Sequence, residues 1–186
     1  IIDPQWRSGI AKPLFGTTAT HAACLFAAWG DEEAQQFFRA VKSNVSILSG
    51  NKQVAQSVGA GRLAIGLTDT DDALIEIENG SPVTIVYPDQ GEGQMGTLFI
   101  PNTLAIIQGA PNPEAAEKLV DYLLSPEVER ALADGPSAQI PLRPGVAASP
   151  RVKTPGEVRA MKVDWQAAAE KWAATAEFLK NEFTSP

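Results

Sequence analysis

Hydrophobic positions along the chain switch repeatedly between short β-rich runs and stretches spaced three and four residues apart, the pattern of βα units around a mostly parallel sheet. The fold class expected is α/β. Gly9-Ile10-Ala11-Lys12 reads as a first strand, Pro13 to Thr18 as a turn, and Ala19 to Trp29 as a helix with Ala22, Leu25, Phe26 and Trp29 on one face. Gly30 ends it, and Asp31 is placed to cap a second helix that turns Phe37, Phe38 and Val41 to a core and closes at Ser43-Asn44. Val45 to Leu48 follows as a strand and Asn51 to Val58 as a short helical segment. Leu63 to Leu67, apolar throughout, reads as a fully buried strand. It leads into Thr68-Asp69-Thr70-Asp71-Asp72 and a helix through Glu78.

Beyond the Asn79-Gly80 turn, Val83 to Tyr87 has strand character, and the glycine-rich stretch Pro88 to Gly96 is expected to be exposed and mobile. Thr97 to Ile100 and Thr103 to Ile107 are β-like runs kinked at Pro101-Asn102, as a crossing between two lobes would be. A helix is expected over Pro113 to Leu124, and Ser125-Pro126 supplies the cap and first-turn proline of another reaching Ala133. Gly135 to Pro155 holds five prolines and two glycines and reads as a wrapping segment or linker. In the last helix, Asp164 to Phe183, the residues Trp165, Ala169, Trp172, Ala176, Leu179 and Phe183 form one apolar stripe.

Composition narrows the function. The 186 residues carry 22 acidic and 15 basic side chains, a net charge of −7, and the basic residues are scattered, so nucleic acid is not an expected partner. No apolar run approaches the roughly 20 residues of a membrane helix, so no membrane insertion is expected. With one cysteine, Cys24, neither an internal disulfide nor a cysteine-based zinc site can form, and its alanine-rich surroundings make it a buried small apolar residue. The start at Ile1-Ile2-Asp3-Pro4, without an initiator Met, reads as a processed or truncated piece of a longer product.

Two places could carry chemistry. Gly16-Thr17-Thr18 is a glycine turn before a helix, where unpaired N–H groups, the helix dipole and two hydroxyls would attract an anion, although threonine there is first of all a capping residue. It lacks the lysine and spacing of a P-loop. Asp69, Asp71 and Asp72 stand at the C-terminal end of a buried strand, where open α/β sheets form their ligand crevices, and would suit a hard cation or an amine. The competing reading is helix capping, with Thr70 as cap and Asp71 and Asp72 in the first turn. His21, in the first turn of the first helix, could touch an anion or stand in solvent. GxSxG, HExxH and GxGxxG are all absent, and Cys24 with His21, three apart on a helix, is not a nucleophile pair.

Trp6-Arg7, Ala11-Lys12-Pro13-Leu14-Phe15-Gly16-Thr17-Thr18, Ile65-Gly66-Leu67-Thr68-Asp69-Thr70-Asp71-Asp72-Ala73, Ile100-Pro101-Asn102-Thr103-Leu104-Ala105-Ile106-Ile107 and the run from Pro113 to Glu127, taken in this order, resemble the ferric-iron class of periplasmic solute-binding proteins of ABC importers. The likeness extends to about Pro144. It implies a clamp of two α/β lobes, with the ligand held in the cleft, non-catalytic delivery to an ABC permease and ATPase complex in the inner membrane, a periplasmic location and a signal peptide in the precursor. Residues 1–99 would be the second lobe, 100–138 the hinge return and helices of the first, and 139–186 an extended segment and helix packing back on the second. The resemblance further implies a carbonate-like anion at Gly16, Thr17 and Thr18. The family's adjacent tyrosines, phenolate ligands of Fe³⁺, align with Asp71 and Asp72, while Tyr87 and Tyr122 stand elsewhere. Two aspartates would hold Fe³⁺ as hard oxygen donors, or equally a polyamine-like cation or another metal.

Three further expectations complete the reading. A ligand-sensing effector domain of a regulator is the alternative, distinguished by a DNA-binding module upstream. A phosphate-handling enzyme using Mg²⁺ at the aspartates would need a base and a nucleophile that the sequence does not show. Exposed apolar faces over residues 100 to 135 would promote oligomers.

Overall fold

The computed structural model describes residues 1–146 and 151–184, and part of the linker stretch, residues 147–150, lies outside them. It divides into two compact units, Ile1–Ile100 with Arg159–Pro186, and Pro101–Val158.

In the first unit, three strands, β1 (Ser8–Ala11), β2 (Ser46–Leu48) and β3 (Ile65–Leu67), pair in parallel in the order β2-β1-β3. The chain leaves the central strand for one neighbour and returns to the other, so β1 lies at a topological switch point. Helices α1 (Gly16–Trp29) and α2 (Asp31–Asn44) follow β1, α3 (Asn51–Gly59) follows β2 and α4 (Thr70–Glu78) follows β3. Because the strands run the same way, the N-termini of α1, α3 and α4 all emerge at the C-terminal edge of the sheet.

The sheet and helices hold together through two apolar layers. Ile10 packs with Val41 and Val45, joining β1 to α2, and Ala22, Leu25, Phe26, Ala34, Phe38 and Leu179 join α1, α2 and α7 (Trp165–Thr184). The Phe26 and Phe38 rings stack with centroids 6.1 Å apart. Gly66 is required where it stands: a Cβ there would lie 2.6 Å from Val54 Cγ1, so only glycine lets β3 approach α3 so closely.

Several boundaries differ from the pattern. α1 begins at Gly16, whose φ of +63° favours glycine, so Thr17 and Thr18 are in its first turn and His21 in its second. Asp31 is the first residue of α2; Gly30 stands in the cap position, and the Asp31 carboxylate accepts a 2.7 Å hydrogen bond from Lys171. β3 is a short edge strand instead of a fully buried one, with Ile65 39% exposed.

The α7 stripe is the expected one only at its C-terminal end: Leu179 is buried and Phe183 half-buried, but earlier in the helix Ala168 and Thr175 are buried, whereas Trp165 and Trp172 are 43% and 46% exposed and Ala169 and Ala176 also face outward. The partner surface is the reason for the difference at Ala168. α1 offers the small residues Ala19, Ala22, Ala23 and Cys24, and Ala168 packs against Ala23 and Cys24, a close approach that suits a small side chain better than an indole. Asp164 precedes the helix and accepts a hydrogen bond from Ala167 N–H at 2.9 Å, a capping geometry.

Three expected strands lack ladders. Val83 to Tyr87 has the alternating exposure of a strand but does not form one, Thr97 forms a single parallel bridge with Ala160, and Thr103 to Ile107 is not a strand. Period-two patterning reflects which side chains face a surface, whereas a strand also needs a neighbouring backbone. The 88–96 stretch is exposed, yet tethered. Gln90 Nε2 donates to Thr97 Oγ1 and to the Arg159 carbonyl, Gln90 Oε1 accepts from Arg159 N–H at 2.8 Å, and Trp29 Nε1 lies 3.2 Å from Met95 Sδ.

The second unit contains α5 (Pro113–Leu123) and α6 (Pro126–Asp134). Ser125 caps α6 through a bond from Val128 N–H, as its sequence predicts.

Candidate functional site

The helix starts at the sheet edge bring the predicted residues together. Thr17 Oγ1 donates to Asp69 Oδ2 at 2.9 Å. Asn51 Nδ2, from the first residue of α3, donates both to Asp69 Oδ2 at 2.6 Å and to Thr17 Oγ1 at 2.9 Å, and Thr18 Oγ1 reaches Asn51 Oδ1 at 3.4 Å. Thr68 Oγ1 donates to the Asn51 carbonyl at 2.9 Å and fixes the start of α3 against the end of β3. One network therefore ties α1, α3 and the β3–α4 junction.

Asn51 is the residue that sequence reasoning passed over, as no more than the start of a helical segment. Its signal is the one that marks Thr17 and Asp69: a polar residue at a helix start that follows a parallel strand.

Of the capping reading, the first-turn placement of Asp71 and Asp72 holds but the Thr70 cap does not. Asp69, not Thr70, holds the cap position of α4, and its side chain makes no cap hydrogen bond; the carboxylate turns across to Thr17 and Asn51 instead. Asp71 and Asp72 lie in the first turn of α4, where the helix dipole favours negative charge. One oxygen from each of Asp69, Asp71 and Asp72 falls within a 4.8 Å cluster, and all three residues are half-buried.

Burial and mutual repulsion both act on these carboxylates. Burial pushes the Asp69 carboxyl up, the bonds from Thr17 and Asn51 oppose this, and the Asp71 charge adds to it. Asp72 is also raised, by burial and by the charges of Asp71 and Asp69, with Lys52 acting in the other direction. Such crowding penalises the ionised form of the carboxylates.

His21 does not join this group. It is half-buried on α1, its basicity lowered by burial, and the charge that opposes this belongs to Asp89. Cys24 is buried, which pushes its thiol up and makes it a poor nucleophile.

Residues 1–135 match the family described as bacterial extracellular solute-binding protein. The chain belongs to that family. An uncharacterized protein of Haemophilus influenzae is 30% identical over 181 residues, covering 94% of this chain and 49% of its own length. Iron uptake protein A2 of Synechocystis is 26% identical over 175 residues, covering 86% of this chain and 49% of its own. Iron-bound HitA from Pseudomonas aeruginosa has the same fold, with a TM-score of 0.80 at 23% identity over 97% of this chain and 59% of that one. The chain thus spans about half the length of the curated relatives it matches. The α/β solute-binding-protein fold expected from the sequence is therefore confirmed. In solute-binding proteins of this fold, the C-terminal edge of the sheet is where an open α/β architecture places its ligand.

Proposed function

We propose that this chain is the ligand-holding part of an extracytoplasmic solute-binding protein that captures a hard cation, ferric iron first, and delivers it to an ABC permease and ATPase complex without catalysing a reaction. The observation that carries this reading is the set of three carboxylates within 4.8 Å at the C-terminal edge of the parallel sheet. Carboxylate oxygens are hard donors, suited to Fe³⁺ by the same softness match that assigns thiolates to softer metals. Asp71 and Asp72 stand where the resemblance places the family's tyrosine pair, and the relative named an iron uptake protein supports iron as the cargo. Residues of the parent protein beyond this chain would complete the coordination and close over the ion.

Non-enzymatic action agrees with the chemistry at hand. Cys24 and His21 are three residues apart on one helix, one buried with a raised thiol and the other with lowered basicity, and neither touches the aspartates. Among the described residues no helix is long and apolar enough to cross a membrane.

The test is native mass spectrometry with elemental analysis on the gently purified full-length parent. Iron at one equivalent, lost in an Asp71→Ala/Asp72→Ala variant, is the expected outcome. A metal-free organic adduct that survives that double substitution would overturn the reading.

A further inference from the structure

We infer that the chain has a second ligand site apart from the aspartates: a cavity lined by the ends of β1 and β2 and by α2 and α7, which takes a small monocarboxylate with an apolar body. This site is independent of the proposed cation-binding function.

Strand alternation places its residues. β1 and β2 pair with Ile10 opposite Ile47, and the Lys12 N–H donates to the Leu48 carbonyl at 2.8 Å, carrying the ladder past the last residue of β1. Lys12 and Ser49 thus stand two residues beyond Ile10 and Ile47, at the end of the sheet face that packs against Val41 of α2. A cavity of about 370 Å³ opens there, within the range of small-molecule sites. Ile47, Leu48 and Phe183 give it apolar walls, and Lys12, Lys42, Ser49 and Glu182 supply the polar groups. Thr17, Asn51 and the three aspartates do not line it.

The charges of the lining are unevenly matched. Arg39 Nε donates to Glu182 Oε1 at 3.2 Å and Lys42 Nζ lies 3.5 Å from Glu182 Oε2, so the Glu182 charge is already divided between two cations. Lys12 is half-buried, and neither its ammonium nor the Ser49 hydroxyl has a hydrogen-bond or ion-pair partner among the described residues. An ammonium beside apolar walls gives up part of its strong hydration without gaining a counter-charge. A carboxylate supplies that charge through a charge-assisted hydrogen bond, with the Ser49 hydroxyl as a second donor.

The walls decide the rest of the ligand. A bare inorganic anion would leave Ile47, Leu48 and Phe183 uncovered, whereas an aliphatic or aromatic body attached to the carboxylate removes that surface from water. One unpaired ammonium calls for one carboxylate. A second acidic group on the ligand would have to compete with Glu182 for Lys42.

The experiment is an NMR titration of the 186-residue chain with benzoate at pH 7 and about 0.15 M salt, where loose attraction to surface lysines is screened. Saturable binding is expected, with amide shifts gathered at Lys12, at Ile47 to Ser49 and in the last turn of α7. Benzamide, which has the same shape without the charge, and acetate, which has the charge without the ring, are each expected to bind at least tenfold more weakly. Lys12→Met keeps an apolar stem and loses the ammonium, and is expected to weaken benzoate binding about tenfold. Benzamide or acetate binding as tightly as benzoate would overturn the inference, as would shifts that never saturate or that centre elsewhere in the chain. A Lys12→Met chain with the wild-type spectrum and wild-type benzoate affinity would overturn it as well. If Lys12→Met fails to fold, the comparison of benzoate with benzamide on the wild-type chain still decides.

Discussion

The unit built from residues 1–100 and 159–186 and the unit spanning 101–158 have similar apolar patterning and opposite fates. In the first, Phe26, Phe38, Val41 and Leu179 disappear into shared layers. In the second, α5 buries none of its residues and α6 only Ala133, while Leu104, Ile107, Leu119, Tyr122, Leu124 and Leu132 are exposed. An amphipathic face is a demand for a partner; whether it is met depends on what the rest of the chain places against it. The difference teaches that stability and ligand chemistry are concentrated in the unit where the demand is met.

The largest expected break in that comparison is Leu179→Ala. Leu179 is 1% exposed and lies in the layer that joins α7 to α1 and α2, so truncation removes apolar contact and leaves a cavity. A loss of about 3 kcal/mol in urea unfolding is expected, read as a lower midpoint at unchanged slope. A loss below about 1 kcal/mol would mean that the layer is less consequential than its burial indicates.

The sequence made the first unit legible wherever one strand or helix decides its own form. The βα alternation, the core faces of α1 and α2 and the ends of α6 follow from spacing and turn residues. What escaped it depended on neighbours. The burial of Ala168 against Ala23 and Cys24 is set by the alanine-rich surface of α1, and whether Val83 to Tyr87 forms a ladder is decided by backbone pairing, which its own alternation does not encode. At the site, Thr17 and the aspartates were legible because helix starts and clustered carboxylates have local signatures. Asn51 was not, because its importance lies in bonds 18 and 34 residues away along the chain.

A titration can sharpen the comparison, since the chain has one histidine and it lies in the packed unit. Burial lowers the pKa of His21 in the folded state, with Asp89 opposing. The unfolded chain therefore binds the proton more readily between the depressed value and the ordinary one near 6.5, and the stability that His21 permits at neutral pH is lost as pH falls through that window. A single group sets a ceiling of about 1.4 kcal/mol per pH unit. Melting curves of the unliganded chain from pH 7.5 to 5.5 are expected to show this decline, and His21→Gln is expected to flatten it. An identical decline in the variant would assign the effect to other groups.

The smallest effect is expected from Leu124→Ser, and its smallness is informative. Leu124 follows the last residue of α5 and is 53% exposed, so its side chain has little buried area to lose. A polar replacement at an exposed position changes stability by within about 0.5 kcal/mol. The same change interrupts the run Leu123-Leu124 beside Tyr122 and should lower binding of an apolar fluorescent dye and the tendency to self-associate at high concentration. Unfolding midpoint and sedimentation measured on one sample separate the two consequences. A stable, less associating variant supports an exposed apolar face over α5; a loss approaching that of Leu179→Ala would show that Leu124 is held by contacts of the strength found in the packed unit, and the contrast between the two regions would fall.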